Sequence, residues 1–142
     1  MFAKQLTVFI ENRAGRLSEV LGVLKGCGVN IISMSLADTT EFGLLRLIVS
    51  DAALGKEKLT EGGYSSLLSD VSIIEIPHKV GSLQELLRAI DEGGVNIEYM
   101  YGLSIETDAA YVVLKASDAD KVDAILAENG IRTLDNEALA HL

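Results

Sequence analysis

Glu11-Asn12-Arg13-Ala14-Gly15-Arg16-Leu17, followed by Gly28-Val29-Asn30-Ile31, decides the fold because both pieces occur twice. A shift of 66 residues places Gly81-Ser82-Leu83 over the end of the first piece. The same shift places Gly94-Val95-Asn96-Ile97 over the second piece without a gap. A pattern that repeats at a fixed spacing indicates repeated structural units.

The spacing divides the 142 residues into two units, residues 1–69 and residues 70–142. Alternating apolar residues and glycine stops predict strands at 4–10, 30–37, 42–50, 65–68, 71–76, 96–105, 109–115 and 131–134. Apolar residues at helical spacing predict helices at 17–25, 52–61, 83–90 and 118–129, with a polar turn at 38–41 and a tail at 136–142. Each unit is therefore β-α-β-β-α-β, the ferredoxin-like arrangement of the α+β class, with both helices on one face of an antiparallel sheet.

Composition excludes several classes of function. The net charge of −9 argues against nucleic acid and anionic membranes as partners, because both bind basic surfaces. Cys27 is the only cysteine, so neither a disulfide framework nor a cysteine metal cluster is expected. No apolar run approaches ~18 residues, and no signal peptide pattern is present, so the expected location is the cytoplasm.

No catalytic constellation accompanies the repeat. The sequence has no Ser/His/Asp or Cys/His set, no metal-ligand spacing and no carboxylate pair placed by the pattern, so an enzyme is not expected. The first turn carries one glycine rather than the three of a dinucleotide fingerprint, so no nucleotide and no other cofactor is expected.

The first turn of each unit nevertheless suits a small anion. A helix N-terminus offers unpaired backbone N–H groups and a favourable dipole to a carboxylate or a phosphate. The side-chain oxygens of Asn12 and Asn30 could accept hydrogen bonds from an ammonium group. Together these groups describe a free amino acid, although the same residues could simply form a turn and a strand entry.

The two quoted pieces also resemble the ACT domain, a small module that senses amino acids in many enzymes of amino-acid metabolism. They are most similar to the serine-binding regulatory domain of phosphoglycerate dehydrogenase, and the resemblance covers the whole chain as two ACT repeats without a catalytic domain. It implies ACT units side by side in an eight-stranded antiparallel sheet. Ligands are then expected between the first turn of one unit and the facing strand of its neighbour.

The resemblance implies a regulatory protein that binds a free amino acid, with an enzyme of amino-acid metabolism as a partner. On the family pattern Asn12 and Asn30 match the ligand-binding amides, and the backbone of residues 14–17 matches the carboxylate cradle. The full set of expected ligand-binding residues is Asn12, Arg13, Ala14, Gly15, Arg16, Leu17, Asn30, Ile31, His78, Val80, Gly81, Ser82, Leu83 and Asn96.

The two copies depart from the family pattern in different ways. Ala14 stands where the family usually has proline, and His78 replaces Asn12 in the second unit while Asn96 keeps the amide of Asn30. The two turns are therefore not equivalent, and the turn at Asn12 is the first candidate. Ser82 with Glu85 also predicts a capping box at the start of the second unit's first helix.

Two further expectations concern surfaces. Phe9, Leu44 and Ile48, with Arg46 among them, should lie on the sheet face opposite the helices. A face this apolar favours a homo-oligomer, most simply a dimer. Tyr99 and Tyr101 could pack between units or shape a ligand pocket.

The rival function is an interaction scaffold or oligomerisation module whose ligand pocket no longer works.

Overall fold

The computed structural model describes residues 2–38, 41–105 and 109–142, so Thr39 and Thr40 of the predicted polar turn lie outside the described residues. The chain forms two compact units that divide between Ser69 and Asp70. The first unit is Lys4–Ser69 with Leu139–Leu142, and the second is Asp70–Ala138 with the first three residues. The last four residues are thus grouped differently from the limits of 1–69 and 70–142 expected from the repeat.

The elements follow the predicted order. The structure contains β1 (Ala3–Glu11), α1 (Arg16–Gly26), β2 (Ile31–Asp38), β3 (Phe42–Val49), α2 (Ala52–Glu61), β4 (Ser65–Ile76), α3 (Ser82–Glu92), β5 (Ile97–Leu103), β6 (Ala110–Ala116), α4 (Ala119–Glu128), β7 (Thr133–Leu134) and α5 (Asn136–Ala140). Strand order is β2-β3-β1-β4 in the first unit and β5-β6-β4-β7 in the second. The β1–β3, β2–β3, β4–β6, β4–β7 and β5–β6 pairs are antiparallel. The βαββαβ fold is therefore confirmed in both units.

The predicted number of strands is wrong by one. The strands expected at 65–68 and 71–76 are a single strand, β4, because the intervening Ser69-Asp70 contains neither glycine nor proline to end it. The described residues therefore hold seven strands rather than eight. The tail, for which no element was predicted, forms the short helix α5 and buries Leu139.

Each unit buries its core between the helices and one face of its sheet. The first core is formed by Leu6, Val8, Ile10, Val20, Leu24, Val29, Leu45, Leu47, Val49 and Leu59. The second is formed by Ile74, Ile76, Leu86, Ile90, Val95, Leu114, Ala116, Val122 and Leu126. Leu83 belongs to the predicted apolar stripe of α3, but it remains 40% exposed because it borders an open groove.

The repeated Gly-Val-Asn-Ile piece ends a helix and begins a strand. Gly28 and Gly94 have φ of 76° and 74°, a conformation that favours glycine. The N–H of Val29 donates to the carbonyl of Leu24 at 3.0 Å, which is the Schellman motif that closes many helices. The valine is buried in both units, so much of this repeat serves the fold.

The repeated asparagine is held by its backbone. The Asn30 N–H donates to Ser50 Oγ at 2.9 Å, and the Ser50 N–H donates to the Asn30 carbonyl at 2.9 Å. Asn96 makes the same pair of bonds with Ser117, at 3.1 and 2.9 Å. Both asparagines therefore join the start of one strand to the end of another without using their side-chain amides.

The first turn has the same backbone in both units. Gly15 and Gly81 have φ of 88° and 87° and precede the first residue of α1 and α3. The Arg13 N–H donates to the Glu11 carbonyl at 2.9 Å, and the Lys79 N–H donates to the Pro77 carbonyl at the same distance. The predicted capping box is wrong, because Gly81 rather than Ser82 occupies the N-cap and no side chain caps the helix.

Alanine substitutions at two glycines of the first unit test whether the left-handed glycine that follows α1 stabilises the fold. Gly28→Ala should lower the free energy of unfolding by about 1–2 kcal/mol, because an L residue is strained at positive φ. Gly22→Ala is the matched control, since it lies within α1 and should raise the stability by ~1 kcal/mol. An added Cβ has no atom within 4 Å at either position. Urea unfolding measures the free energy of unfolding of both variants. Equal effects of the two substitutions would contradict the role of Gly28 in ending the helix.

Candidate functional site

A groove lies beside the first turn of each unit, and the two grooves differ in size. The groove of the first unit has a volume of about 340 Å³, and that of the second about 1180 Å³. Of the expected site residues, the first groove is lined by Asn12, Arg13 and Leu17. The second is lined by His78, Val80, Gly81, Ser82, Leu83 and Asn96. The structure therefore brings the expected residues together more completely in the second unit.

The expected residues that do not line the first groove are Ala14, Gly15, Arg16, Asn30 and Ile31. Ile31 packs against the core of the first unit, and Asn30 is exposed. Asn12 lines this groove and Asn30 does not, so the binding of one ligand by both amides stays a prediction. In the second unit, His78 and Asn96 line the same groove.

One strand position beside the two grooves differs between the units. Leu36 projects across the first groove, and its Cδ1 lies 3.3 Å from where a Cβ on Gly43 would be. The repeat spacing places Gly102 at this position in the second unit. Gly102 pairs with Val112, which lines the second groove, and an added Cβ at residue 102 would have no atom within 4 Å. The space that a leucine fills in the first unit is open in the second.

Ion pairs and hydrogen bonds within the chain already engage the charged side chains of the first turn, although the Nε of Arg16 is buried without a partner among the described residues. Arg16 Nη1 donates to Glu19 Oε2 at 3.0 Å, and Arg16 Nη2 lies 3.5 Å from Glu11 Oε1. Arg13 Nε lies 3.0 Å from Glu11 Oε2. Tyr64 donates its hydroxyl hydrogen to Glu19 Oε2 at 2.9 Å. The cations that could attract a ligand carboxylate here already face carboxylates of the protein.

These contacts shift the pKa values of the groups involved. The hydrogen bond from Tyr64, and then that from Arg16, lower the pKa of Glu19 because both favour the carboxylate. The hydrogen bond to Glu19 raises the pKa of Tyr64. Partial burial opposes the charge of Arg16, but Glu19 and Glu11 outweigh it and raise the pKa of the guanidinium. The shifts keep Glu19 and Arg16 charged and keep Tyr64 as a neutral phenol that donates its hydrogen bond.

Within the described residues, no such network surrounds the second turn. The repeat spacing places Ser82 where the first unit has Arg16, and Pro77 where it has Glu11. Ser82 is only 8% exposed, yet its Oγ has no hydrogen-bond partner in the part of the chain that the structure describes. The Ser82 N–H is bonded to the Lys79 carbonyl and the Glu85 N–H to the Gly81 carbonyl. The N–H groups of Leu83 and Gln84 lie in the first turn of α3, where a helix supplies no acceptor.

Several residues that shape the site were not expected from the sequence. Glu19 and Tyr64 are 45 residues apart, and no local pattern connects them. Gly102 and Val112 were not expected either. The sequence does contain a signal for Gly102, because the shift of 66 residues aligns it with Leu36. The rings of Tyr99 and Tyr101 stack on each other, with centroids 6.5 Å apart, and do not line the groove.

Among residues 2–38, 41–105 and 109–142, no cluster of three or more His, Cys, Asp or Glu side chains could hold a metal ion. Over the same residues, no helix is both long and apolar enough to cross a membrane.

The titration of Glu19 tests the network at the first turn. In the wild-type protein this carboxyl should titrate below its ordinary pKa, so its contribution to stability is lost only as the pH falls through that lowered value. Tyr64→Phe removes the main cause of the shift and should raise the pKa of Glu19 towards its ordinary value. A pH titration of side-chain carboxyl carbons by NMR measures this change. Tyr111→Phe is the control, and an unchanged Glu19 titration in Tyr64→Phe would contradict the network.

Comparison with known proteins places this geometry in a family. The sequence matches the family described as the ACT domain pair over residues 1–142. It is 30% identical over 135 residues to the acetolactate synthase isozyme 3 small subunit of Salmonella typhimurium, covering 86% of this chain and 81% of that protein. The same subunit of Escherichia coli is similar to the same extent.

Solved structures agree with the sequence comparison. A protein from Bacteroides thetaiotaomicron has a TM-score of 0.92 and 36% identity, covering 100% of this chain and 98% of that one. The regulatory subunit of aspartate kinase from Thermus thermophilus has a TM-score of 0.64 and 18% identity, covering 89% and 90%, and shows the fold alone. The chain belongs to the ACT domain family and consists of a pair of ACT domains.

Proposed function

We propose that this protein is a regulatory module that binds a free amino acid at the first turn of its second unit and does not itself catalyse a reaction. The observation that carries the proposal is the open end of α3. There, Ser82, whose buried hydroxyl has no partner among the described residues, lines a groove of about 1180 Å³ together with Leu83 and Gln84 of the same helix turn. Such a helix end favours a carboxylate, and a polar group buried without a partner is costly unless a ligand or water pairs with it.

The choice of the second turn reverses the order expected from the sequence. Asn12 made the first turn the leading candidate, but the neighbouring charges of Arg13 and Arg16 are paired with Glu11 and Glu19. A carboxylate binding there would have to compete with the carboxylates of the protein. At the second turn it would meet Ser82 and free helix amides instead.

An enzyme of amino-acid metabolism is the proposed partner. Two relatives at 30% identity are small subunits of acetolactate synthase, so this chain is similar to proteins named as subunits of such an enzyme. In this proposal, the ligand changes the affinity between this protein and the enzyme, which is how two binding events become coupled. The location in the cytoplasm stays a prediction.

A thermal-shift screen against all free amino acids tests the proposal. A ligand at a hundred times its Kd adds about 2.7 kcal/mol to stability, which raises the melting temperature of a chain of this size by several degrees. Leu83→Glu should remove the shift, because it places a negative charge beside the proposed carboxylate position. The variant should still fold, since a carboxylate is favourable in the first turn of a helix.

Leu17→Glu is the matched control, because the repeat spacing places Leu17 at the position of Leu83 in the first unit. It should leave the ligand-induced shift unchanged. A shift that Leu17→Glu removes and Leu83→Glu keeps would move the site to the first turn. If no amino acid shifts the wild-type protein, the interaction scaffold becomes the better account.

We also propose that the chain forms a homodimer. Strand β2 has β3 as its one neighbour in the described residues, and its Met34 and Leu36 are 40% and 52% exposed. Phe9 and Phe42 are also exposed and meet edge to face, with centroids 6.4 Å apart. An edge strand with apolar side chains favours pairing with another chain.

Sedimentation velocity tests this assembly. At micromolar concentration the wild-type chain of 15.2 kDa should sediment with about twice that mass. Leu36→Lys should shift the population towards the monomer, because it places a charge at an apolar contact. Lys56→Glu, a charge change on α2 rather than on β2, is the control and should stay dimeric. A wild-type protein that is monomeric throughout would overturn the proposal.

A further inference from the structure

We infer that the groove of the second unit selects an amino acid with a large apolar side chain, such as phenylalanine, leucine or methionine. This inference rests on the proposed function, because it names the class of amino acid that the same site would take. Three observations support it: a polar end at α3, an apolar body beyond that end, and open space at Gly102, which pairs with the lining residue Val112.

The polar end fixes how the ligand enters. Ser82 lines the groove at the first residue of α3, and its buried Oγ has no partner among the described residues. A hydroxyl can donate a hydrogen bond to a carboxylate oxygen, and the N–H groups of Leu83 and Gln84 can do the same. His78 also lines this end, and a neutral imidazole carries one nitrogen that can accept a hydrogen bond from an ammonium group.

The body of the groove is apolar. Below the turn it is lined by Leu83, Leu87, Val95, Ile97 and Val112. The charged residues in the lining are Lys79, Arg88 and Asp91, and Arg88 Nε pairs with Glu92 Oε1 at 3.0 Å. With its carboxylate at the N-terminus of α3, a ligand would extend its side chain over the aliphatic residues. Burying a charged or strongly polar side chain against these aliphatic residues would cost its hydration, because they supply no hydrogen-bond partner.

The space at Gly102 sets the size of that side chain. Leu36 fills the corresponding space of the first unit, where the groove has about 340 Å³. Gly102 leaves that space open beside Val112, so a side chain of about the size of leucine or phenylalanine can take it. A small side chain would leave the apolar lining uncovered and gain less from burial, at about 25 cal/mol per Å².

Isothermal titration calorimetry of the full chain tests the selectivity. Phenylalanine, leucine and methionine should bind at least tenfold more tightly than alanine, serine, aspartate or lysine. 3-Phenylpropionate, which lacks the ammonium group of phenylalanine, should bind at least tenfold more weakly than phenylalanine. Equal affinity for phenylalanine and 3-phenylpropionate would show that the site takes apolar carboxylates in general and would overturn the inference of an amino acid.

A series at residue 102 tests the open position. Gly102→Ala should keep phenylalanine binding within about threefold, whereas Gly102→Leu should weaken it more than tenfold by filling the space as Leu36 does. Both variants should keep the melting temperature of the free protein within a few degrees, because a Cβ here has room. If Gly102→Leu folds and still binds phenylalanine like the wild type, the side chain does not lie at this position and the inference is wrong.

Ser82→Ala tests the polar end independently. It should weaken every amino acid that binds by about tenfold or more, since hydrogen bonds to charged groups are among the stronger ones, while the order of preference stays the same. An unchanged affinity would contradict the assignment of the carboxylate to α3. Tight binding of serine or aspartate without binding of apolar amino acids would overturn the selectivity but leave the proposed function standing. If no amino acid binds, both the selectivity and the proposed function are wrong.

Discussion

The left-handed glycine between the first strand and the first helix is the constraint on which each unit depends. Gly15 and Gly81 have φ of 88° and 87°, which allows the chain to leave a buried strand and begin a helix within a few residues. That geometry places the N-terminus of the helix beside the end of the strand and leaves no side chain to cap it. The same backbone serves both units, so any difference in function must come from the side chains around the turn.

Two substitutions between the repeats create that difference. Where the first unit has Arg16, which pairs with Glu11 and Glu19, the second has Ser82, whose hydroxyl meets no partner in the described part of the chain. Where the first has Leu36 across its groove, the second has Gly102. In this account the first unit pairs the charges of its turn with its own carboxylates and narrows its groove with Leu36, although Arg16 Nε has no partner among the described residues, whereas the second leaves its turn and groove to a ligand. The ligand then lies within one unit rather than at the junction implied by the family resemblance.

Much of the fold could be predicted because it depends on local patterns. Alternation defined the strands, helical spacing defined α1 and α3, and the glycines at positive φ ended the helices where expected. The join of two predicted strands into β4 was missed because sequence patterns show where strands lie more clearly than whether a short polar pair interrupts them. The capping box at Ser82 was wrong because the left-handed glycine took the cap position.

The site was harder to predict because it depends on what lies opposite each residue. The recurrence of Asn30 and Asn96 suggested ligand contacts, but the bonds that the structure shows, to Ser50 and Ser117, use backbone groups that most residues could supply. The pairing of Glu19 with Tyr64 joins distant parts of the chain, and only the fold reveals it. The inequality of the two turns was visible in the sequence. The sequence did not predict which of the two turns is open, because that depends on contacts that only the structure shows.

Backbone amide chemical shifts test the central claim most directly, because they report on both turns in one experiment. A titration of the ¹⁵N-labelled chain with phenylalanine should shift the amides of residues 81–84 and leave those of residues 15–18 in place. Shifts confined to residues 15–18, or equal shifts at both turns, would contradict an account in which the second unit alone keeps an open ligand site.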